Sequence, residues 1–149
     1  MINEVLTKLY ERDLEKLKAE ISQYKDEADL WKTSGEITNC AGNLTLHLIG
    51  NLNHYFGAVL GETGFVRHRD EEFSGKNTSR EWMLAEIDAV RSVVTDVLSR
   101  LTAADLAATY PEEVFGHPMT TEYFLVHLAT HFNYHLGQIN YHRRLGLSD

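Results

Sequence analysis

Three histidines near the end of the chain lie at successive four-residue steps, at His127, His131 and His135. In an α-helix a step of four residues turns the side chain by only about 40°, so His131 and His135 would lie one above the other. Two imidazoles in this arrangement can chelate a metal ion, but zinc and its neighbours usually take three or more protein ligands. The rest of the chain must supply another ligand if this pair is to form a metal site.

A polar stripe earlier in the chain offers that ligand. Asn43, His47, Asn51 and His54 are spaced four, four and three residues apart, which places them within an arc of roughly 60° on a helix. An exposed helix face would be expected to carry Lys and Glu, whereas this segment contains no charged residue. The stripe is therefore predicted to point into the protein, where polar groups need partners. His47 is the natural third ligand.

Composition and charge limit the possible functions. The chain has 149 residues, of which 43% are hydrophobic and 24% charged, as expected for one globular domain over 1–149. Its net charge of −8 would repel a phosphate backbone, so nucleic acid is not an expected partner. We find neither a secretion signal nor a stretch long enough to span a membrane, and we expect a cytoplasmic location without membrane contact.

The single cysteine and the fourth-helix motif restrict the chemistry further. Cys40 has no second cysteine to pair with, which excludes an internal disulfide and a cysteine-based metal cluster. Any metal must be held by histidine and oxygen ligands. The histidine pair is not the zinc-protease motif H-E-x-x-H, because Phe132 stands where that mechanism needs its glutamate. Peptide hydrolysis is disfavoured, and a thiol nucleophile would have to come from a cosubstrate.

The spacing of apolar residues predicts four helices and an all-α protein. These helices cover about 6–24, 38–60, 78–101 and 120–145, and no series of strands competes with them. The simplest fold that accommodates these helices is a four-helix bundle with a long link between helices two and three. In such a bundle, histidines on the second and fourth helices can meet in the core.

The long link, residues 61–77, is rich in glycine and in charges of both signs. Connections of this length inside a compact domain are often functional or cross between distant elements. Arg67, Arg69, Asp70 and Glu72 either form a structural cluster of ion pairs or contact a substrate, and the sequence leaves both possibilities open.

Three segments resemble the DinB superfamily: NLTLHLIGN at 43–51, GFVRHRDEEF at 64–73 and HFNYHLGQI at 131–139. The resemblance covers nearly the whole chain, and the last segment keeps the family pattern His-x-x-x-His-x-Gly-Gln. It implies a four-helix bundle of up-down-down-up topology that forms a homodimer. It also implies a divalent metal ion, with zinc or nickel expected, held by His47, His131 and His135.

The same resemblance implies a class of activity. Characterised relatives include transferases that join a low-molecular-weight thiol to an electrophile, and a thiol-dependent maleylpyruvate isomerase. A thiol-dependent transferase acting on a small molecule is therefore the first hypothesis. Two alternatives stay open: metal-assisted hydrolysis of a small molecule with Asp70 or Glu72 as the base, and a non-catalytic, metal-stabilised binding or dimerisation module.

The remaining polar residues receive provisional roles. Gln138 lies three residues after His135 on the same face and is a candidate for orienting a ligand or contacting substrate; it joins Asp70 and Glu72 as a candidate catalytic residue. Three residues are expected to line the cavity around the metal: Asn51, His54 and His127. Three other histidines are expected to be peripheral: His68, His117 and His142.

Overall fold

Four long helices form the body of the protein in the computed structural model, which describes residues 1–147. In chain order the helices are α1 (Ile2–Ser22), α2 (Ala41–Leu52), α3 (Arg69–Ser74), α4 (Arg80–Arg100), α5 (Ala103–Ala107) and α6 (Thr121–Leu145). A 3₁₀ turn spans Glu27–Trp31, and α2 continues as a π-helical segment over Asn53–Leu60. The all-α prediction is confirmed; positions 148–149 of the predicted domain lie outside the described residues.

Side-chain contacts give the direction of α1 relative to its neighbours. Asn3 donates to the carbonyl of Leu98, and Lys18 further along α1 pairs with Asp88 earlier in α4, so these helices are antiparallel. The contacts between α1 and α6 follow the same order along both helices. The Tyr10 hydroxyl donates to the carbonyl of Leu125, and further along, the side chain of Glu20 in α1 accepts from Asn140 in α6. Helices α1 and α6 therefore run parallel.

The second helix completes the topology. Its His47 contacts His131 and its extension places Tyr55 against Phe124, so it runs antiparallel to α6. Gly57 and Gly61 face Val93 and Val97 in the same order, so it runs parallel to α4. The four long helices, which are α1, α2 with its extension, α4 and α6, therefore run up, down, down and up, as expected.

Apolar side chains from all four long helices build the core. On α1 they recur every three or four residues, which gives that helix one buried face. The buried residues include Leu6, Leu14, Leu17, Leu48, Leu52, Phe56, Ile87, Val94, Leu98, Leu128, Phe132 and Ile139. Each such burial stabilises the fold by about 1.5–3 kcal/mol relative to an exposed side chain. No helix within residues 1–147 is long and apolar enough to cross a membrane.

The long link between the second and third predicted helices is partly helical. It contains α3. The side-chain amide of Asn43 in α2 donates a hydrogen bond to the carbonyl of Glu72 in α3 at 3.0 Å. The same amide donates to the carbonyl of Gly75 at 2.7 Å. Carbonyls at a helix C-terminus lack partners within the helix, so Asn43 satisfies groups that would otherwise be unpaired. The polar stripe of α2 thereby holds α3 against the bundle.

Candidate metal centre

Three imidazole rings meet between α2 and α6. His131 Nε2 lies 3.1 Å from His47 Nε2 and 3.2 Å from His135 Nε2. Ligand nitrogens around a tetrahedral zinc ion, at about 2.0–2.1 Å from the metal, lie roughly 3.3 Å apart. These three residues form a cluster that could hold a metal ion, and the spacing of their nitrogens suits a single ion.

Two of the rings are held by acceptors on their outer nitrogens. His47 Nδ1 lies 3.0 Å from Glu72 Oε1, and His135 Nδ1 lies 2.7 Å from Gln138 Oε1. Each oxygen favours a proton on Nδ1, which leaves the lone pair of Nε2 directed at the centre. His131 Nδ1 is buried and has no hydrogen-bond partner among the described residues. The unprotonated Nε2 atoms of His47 and His135 therefore both point towards the centre of the cluster. A divalent cation fits such a set of nitrogen donors.

Glu72 occupies a buried position behind His47. Its carboxylate accepts from Arg67 Nε and from a terminal nitrogen of the same guanidinium, both at 2.9 Å. This two-point pairing fixes the plane of the carboxylate. A Cβ atom at Gly50 would overlap the carboxylate, so the absence of a side chain there makes room for Glu72. Arg67, Glu72 and His47 thus form a continuous buried chain of hydrogen bonds.

Burial and neighbouring rings keep two of the three histidines, His131 and His135, neutral. Burial, followed by the nearby His135 and His47, lowers the pKa of His131 to about 3, and burial also lowers the pKa of His135. Burial by itself would raise the pKa of Glu72, but hydrogen bonds from His47 and Arg67 outweigh it and hold that pKa below its usual value. At neutral pH His131 and His135 are therefore uncharged, the form of histidine that binds metal.

The lowered pKa of His131 predicts that acid destabilises the metal-free protein. An unfolded histidine titrates near 6.5, so between that pH and about 3 the unfolded state binds a proton that the folded state does not. Stability present above pH ~6.5 should therefore decrease as the pH falls. Urea unfolding with a chelator from about pH 7.5 to about 5 should show a shallower decrease for His131→Phe, but not for the exposed control His117→Phe. Equal slopes for wild type and His131→Phe would contradict the assignment.

A cavity of about 370 Å³ adjoins the three histidines. Asn51 and His127 lie on its wall. His54 does not: its Nε2 lies 3.1 Å from both carboxylate oxygens of Glu112. The reason is the change to π-helical spacing at Asn53, after which the arc calculated for an α-helix no longer applies.

The candidate catalytic residues lie in different surroundings. Asp70 is exposed on α3 and is not among the residues that line the cavity. Glu72 is buried and engaged by two partners, so of the two roles left open for it the structure supports the ion pair with Arg67. Gln138 is exposed and bonds His135. None of the three has a free polar group directed at the cavity.

The other histidines lie away from the centre. His142 is buried near the end of the bundle, between the Tyr24 hydroxyl at 2.6 Å and the carbonyl of Lys32 at 2.7 Å. His68 and His117 are exposed.

Sequence reasoning missed two contributors to the site. Gly50 makes room for Glu72, and its only signal was a glycine inside an otherwise regular helix. Phe115 contributes to the cavity wall from an irregular segment, where no periodicity indicates orientation.

Comparison with known proteins gives a family and a fold. The crystal structure described as the conserved protein of a locus from Enterococcus faecalis is similar, with a TM-score of 0.69 and 18% identity over 97% of this chain and 96% of that one. At this identity the likeness supports the fold alone. No curated protein matches the chain. The sequence profile of DUF1572, described as a protein of unknown function, matches residues 3–146. This chain therefore belongs to the DUF1572 family.

Proposed function

We propose that this protein is a DinB-like metalloenzyme in which His47, His131 and His135 hold one divalent ion, zinc or nickel. The convergence of three Nε2 atoms beside a cavity is the observation that carries the proposal. Imidazole ligands suit both metals. Because all three ligands are uncharged, the full positive charge of the ion would remain available to a substrate.

Thiol-dependent transfer to a small electrophile is the reaction that the site supports best. When bound, a divalent ion stabilises a thiolate relative to its thiol. Cys40 is fully buried and its thiol donates to Asn43, so the chain supplies no nucleophilic thiol of its own at the cavity. A low-molecular-weight cosubstrate would provide the thiol, while Glu72 and Gln138 hold the ligand rings in place.

Hydrolysis has weaker support. A hydrolase of this design needs a carboxylate base within hydrogen-bond reach of the attacking water. Glu72 is engaged by Arg67 and His47, and Asp70 does not line the cavity. The non-catalytic alternative predicts metal binding without turnover.

A thiol-transfer assay tests the proposal. Zinc- or nickel-loaded protein is incubated with monochlorobimane and a panel of cellular thiols, and adduct fluorescence is followed against buffer containing the same metal. We expect acceleration with at least one thiol, lost in His131→Ala and kept in the exposed control His117→Ala. No acceleration with any thiol would contradict transfer, and turnover of esters or amides without added thiol would favour hydrolysis.

The remaining expectations stay proposals. They are a single DinB-like domain over 1–149, a homodimer and a cytoplasmic location. Sedimentation of the purified protein tests the homodimer.

A further inference from the structure

We propose that the cavity beside the three histidines selects a small organic anion, whose carboxylate pairs with Arg69 and whose apolar part packs against an aromatic wall. The inference names the substrate class for the proposed function and rests on it: the anion would be the electrophile or the thiol that reacts at this site.

Charge is the first observation that supports an anion. Arg67 and Arg69 both line the cavity, and within residues 1–147 no Asp or Glu lines it. The protein as a whole carries a net charge of −8, so a positive cavity is opposite in sign to the rest of the chain. A local concentration of one sign within a cleft attracts ligands of the other sign.

The two arginines differ in their availability. Arg67 is mostly buried and bonds Glu72 at two points, so its charge is largely neutralised. Arg69 is exposed and stacks over the ring of Phe73, with 5.2 Å from its guanidinium carbon to the ring centroid. Within residues 1–147 no carboxylate pairs with it. Its planar guanidinium therefore remains free for two-point recognition of a carboxylate.

The walls also favour a ligand with an apolar body. Phe73, Phe115 and Phe124 line the same cavity, where an aromatic ring or an alkyl chain can pack. The side chain of Asn51, only 6% exposed, lies on this wall, and its Oδ1 is buried without a hydrogen-bond partner. A buried acceptor left unpaired is costly, and an N–H or O–H group on the ligand would satisfy it.

The position of the cavity connects recognition with chemistry. His47, His131 and His135 all belong to its lining, together with Arg69 and Asn51. A ligand held by its carboxylate and its apolar body therefore lies in the same space as the three imidazoles. An organic cation of the same size would meet the unpaired guanidinium of Arg69, and within residues 1–147 no carboxylate lines the cavity to attract it.

Three probes with the same ring system but different charges test this inference: 1-naphthoate, 1-naphthamide and 1-naphthylmethylammonium. Their binding is measured by calorimetry with chelator-treated protein and again with zinc-loaded protein. We expect naphthoate to bind about 10-fold more tightly than the amide in both states, because a carboxylate forms charge-assisted hydrogen bonds to a guanidinium that are stronger than those of a neutral amide. The cation should bind most weakly.

A variant pair assigns the selectivity to one residue. Arg69→Gln should lose most of the preference for naphthoate, whereas Arg100→Gln, at the far end of α4, should keep it; melting curves verify that both variants fold.

Equal binding of the three probes, no binding of naphthoate at millimolar concentration, or an unchanged preference in Arg69→Gln would overturn the proposal. A preference that appears only with zinc would assign recognition to the ion and also overturn it. Selective binding by a protein that takes up no metal would sustain it while the proposed metalloenzyme fails.

Discussion

His131→Ala is expected to abolish tight binding of zinc or nickel. His131 Nε2 is the atom that lies within 3.2 Å of both other ligand nitrogens, so its loss leaves His47 and His135 without the ring that joins them. We expect affinity to fall by more than about 100-fold, the upper limit for removing a residue that only orients a ligand. Metal content after dialysis, measured by mass spectrometry, checks this directly.

Thermal unfolding gives a second measurement of the same effect. An ion present at about 1,000 times its Kd stabilises the folded state by roughly 4 kcal/mol. Wild type should therefore melt at a higher temperature with zinc than with a chelator, whereas His131→Ala should show no such difference. His127→Ala is the matched control, because His127 lines the cavity outside the three-histidine cluster. An equal zinc-induced shift in wild type and His131→Ala would exclude the proposed centre.

Glu72→Ala is expected to destabilise the metal-free protein. It leaves Arg67, whose side chain is 11% exposed, without its counter-ion, and it removes the acceptor of His47. Breaking a buried ion pair from one side typically costs about 3–5 kcal/mol. We expect a value near the lower end, about 3 kcal/mol, because the guanidinium keeps some access to water. Urea unfolding in the presence of a chelator measures this loss.

The same substitution should weaken metal binding by about 10- to 100-fold, since His47 loses the group that orients it. Glu72→Gln retains an acceptor for the His47 ring and should fall between wild type and Glu72→Ala in both measurements. The exposed neighbour provides a control: Glu71→Ala should change stability by no more than about 0.5 kcal/mol. If Glu72→Gln keeps stability and metal affinity but loses turnover, Glu72 is a base rather than a positioning residue.

The histidine pair illustrates what local sequence can predict. His131 and His135 lie on one helix, so the geometry of a single element was enough to place them together. The stripe on α2 could be predicted in the same way as far as Asn51. The predicted stripe does not extend to His54, because α2 changes from α-helical to π-helical spacing at Asn53. That change depends on packing along α2 and cannot be recognised from the periodicity of the side chains.

Contacts between elements could be predicted only in part. His47 meets His131 across 84 residues of chain; the unusual uncharged face of α2 and the resemblance to DinB proteins both indicated that contact. Neither of them distinguished the two roles left open for Glu72. A charged residue in a connecting segment carries no periodicity, so its partners depend on where the segment packs.

The sequence by itself determined the helical class, the histidine pair on α6 and the inward face of α2, because each follows from periodicity within one helix or from a motif. Only the tertiary structure decided that α3 packs onto α2, that Glu72 orients His47, and that Gly50 leaves the space for it. It also decided which charged residues, Arg67 and Arg69, line the cavity. Those outcomes depend on distances of a few ångströms between segments far apart in the chain, which local patterns do not encode.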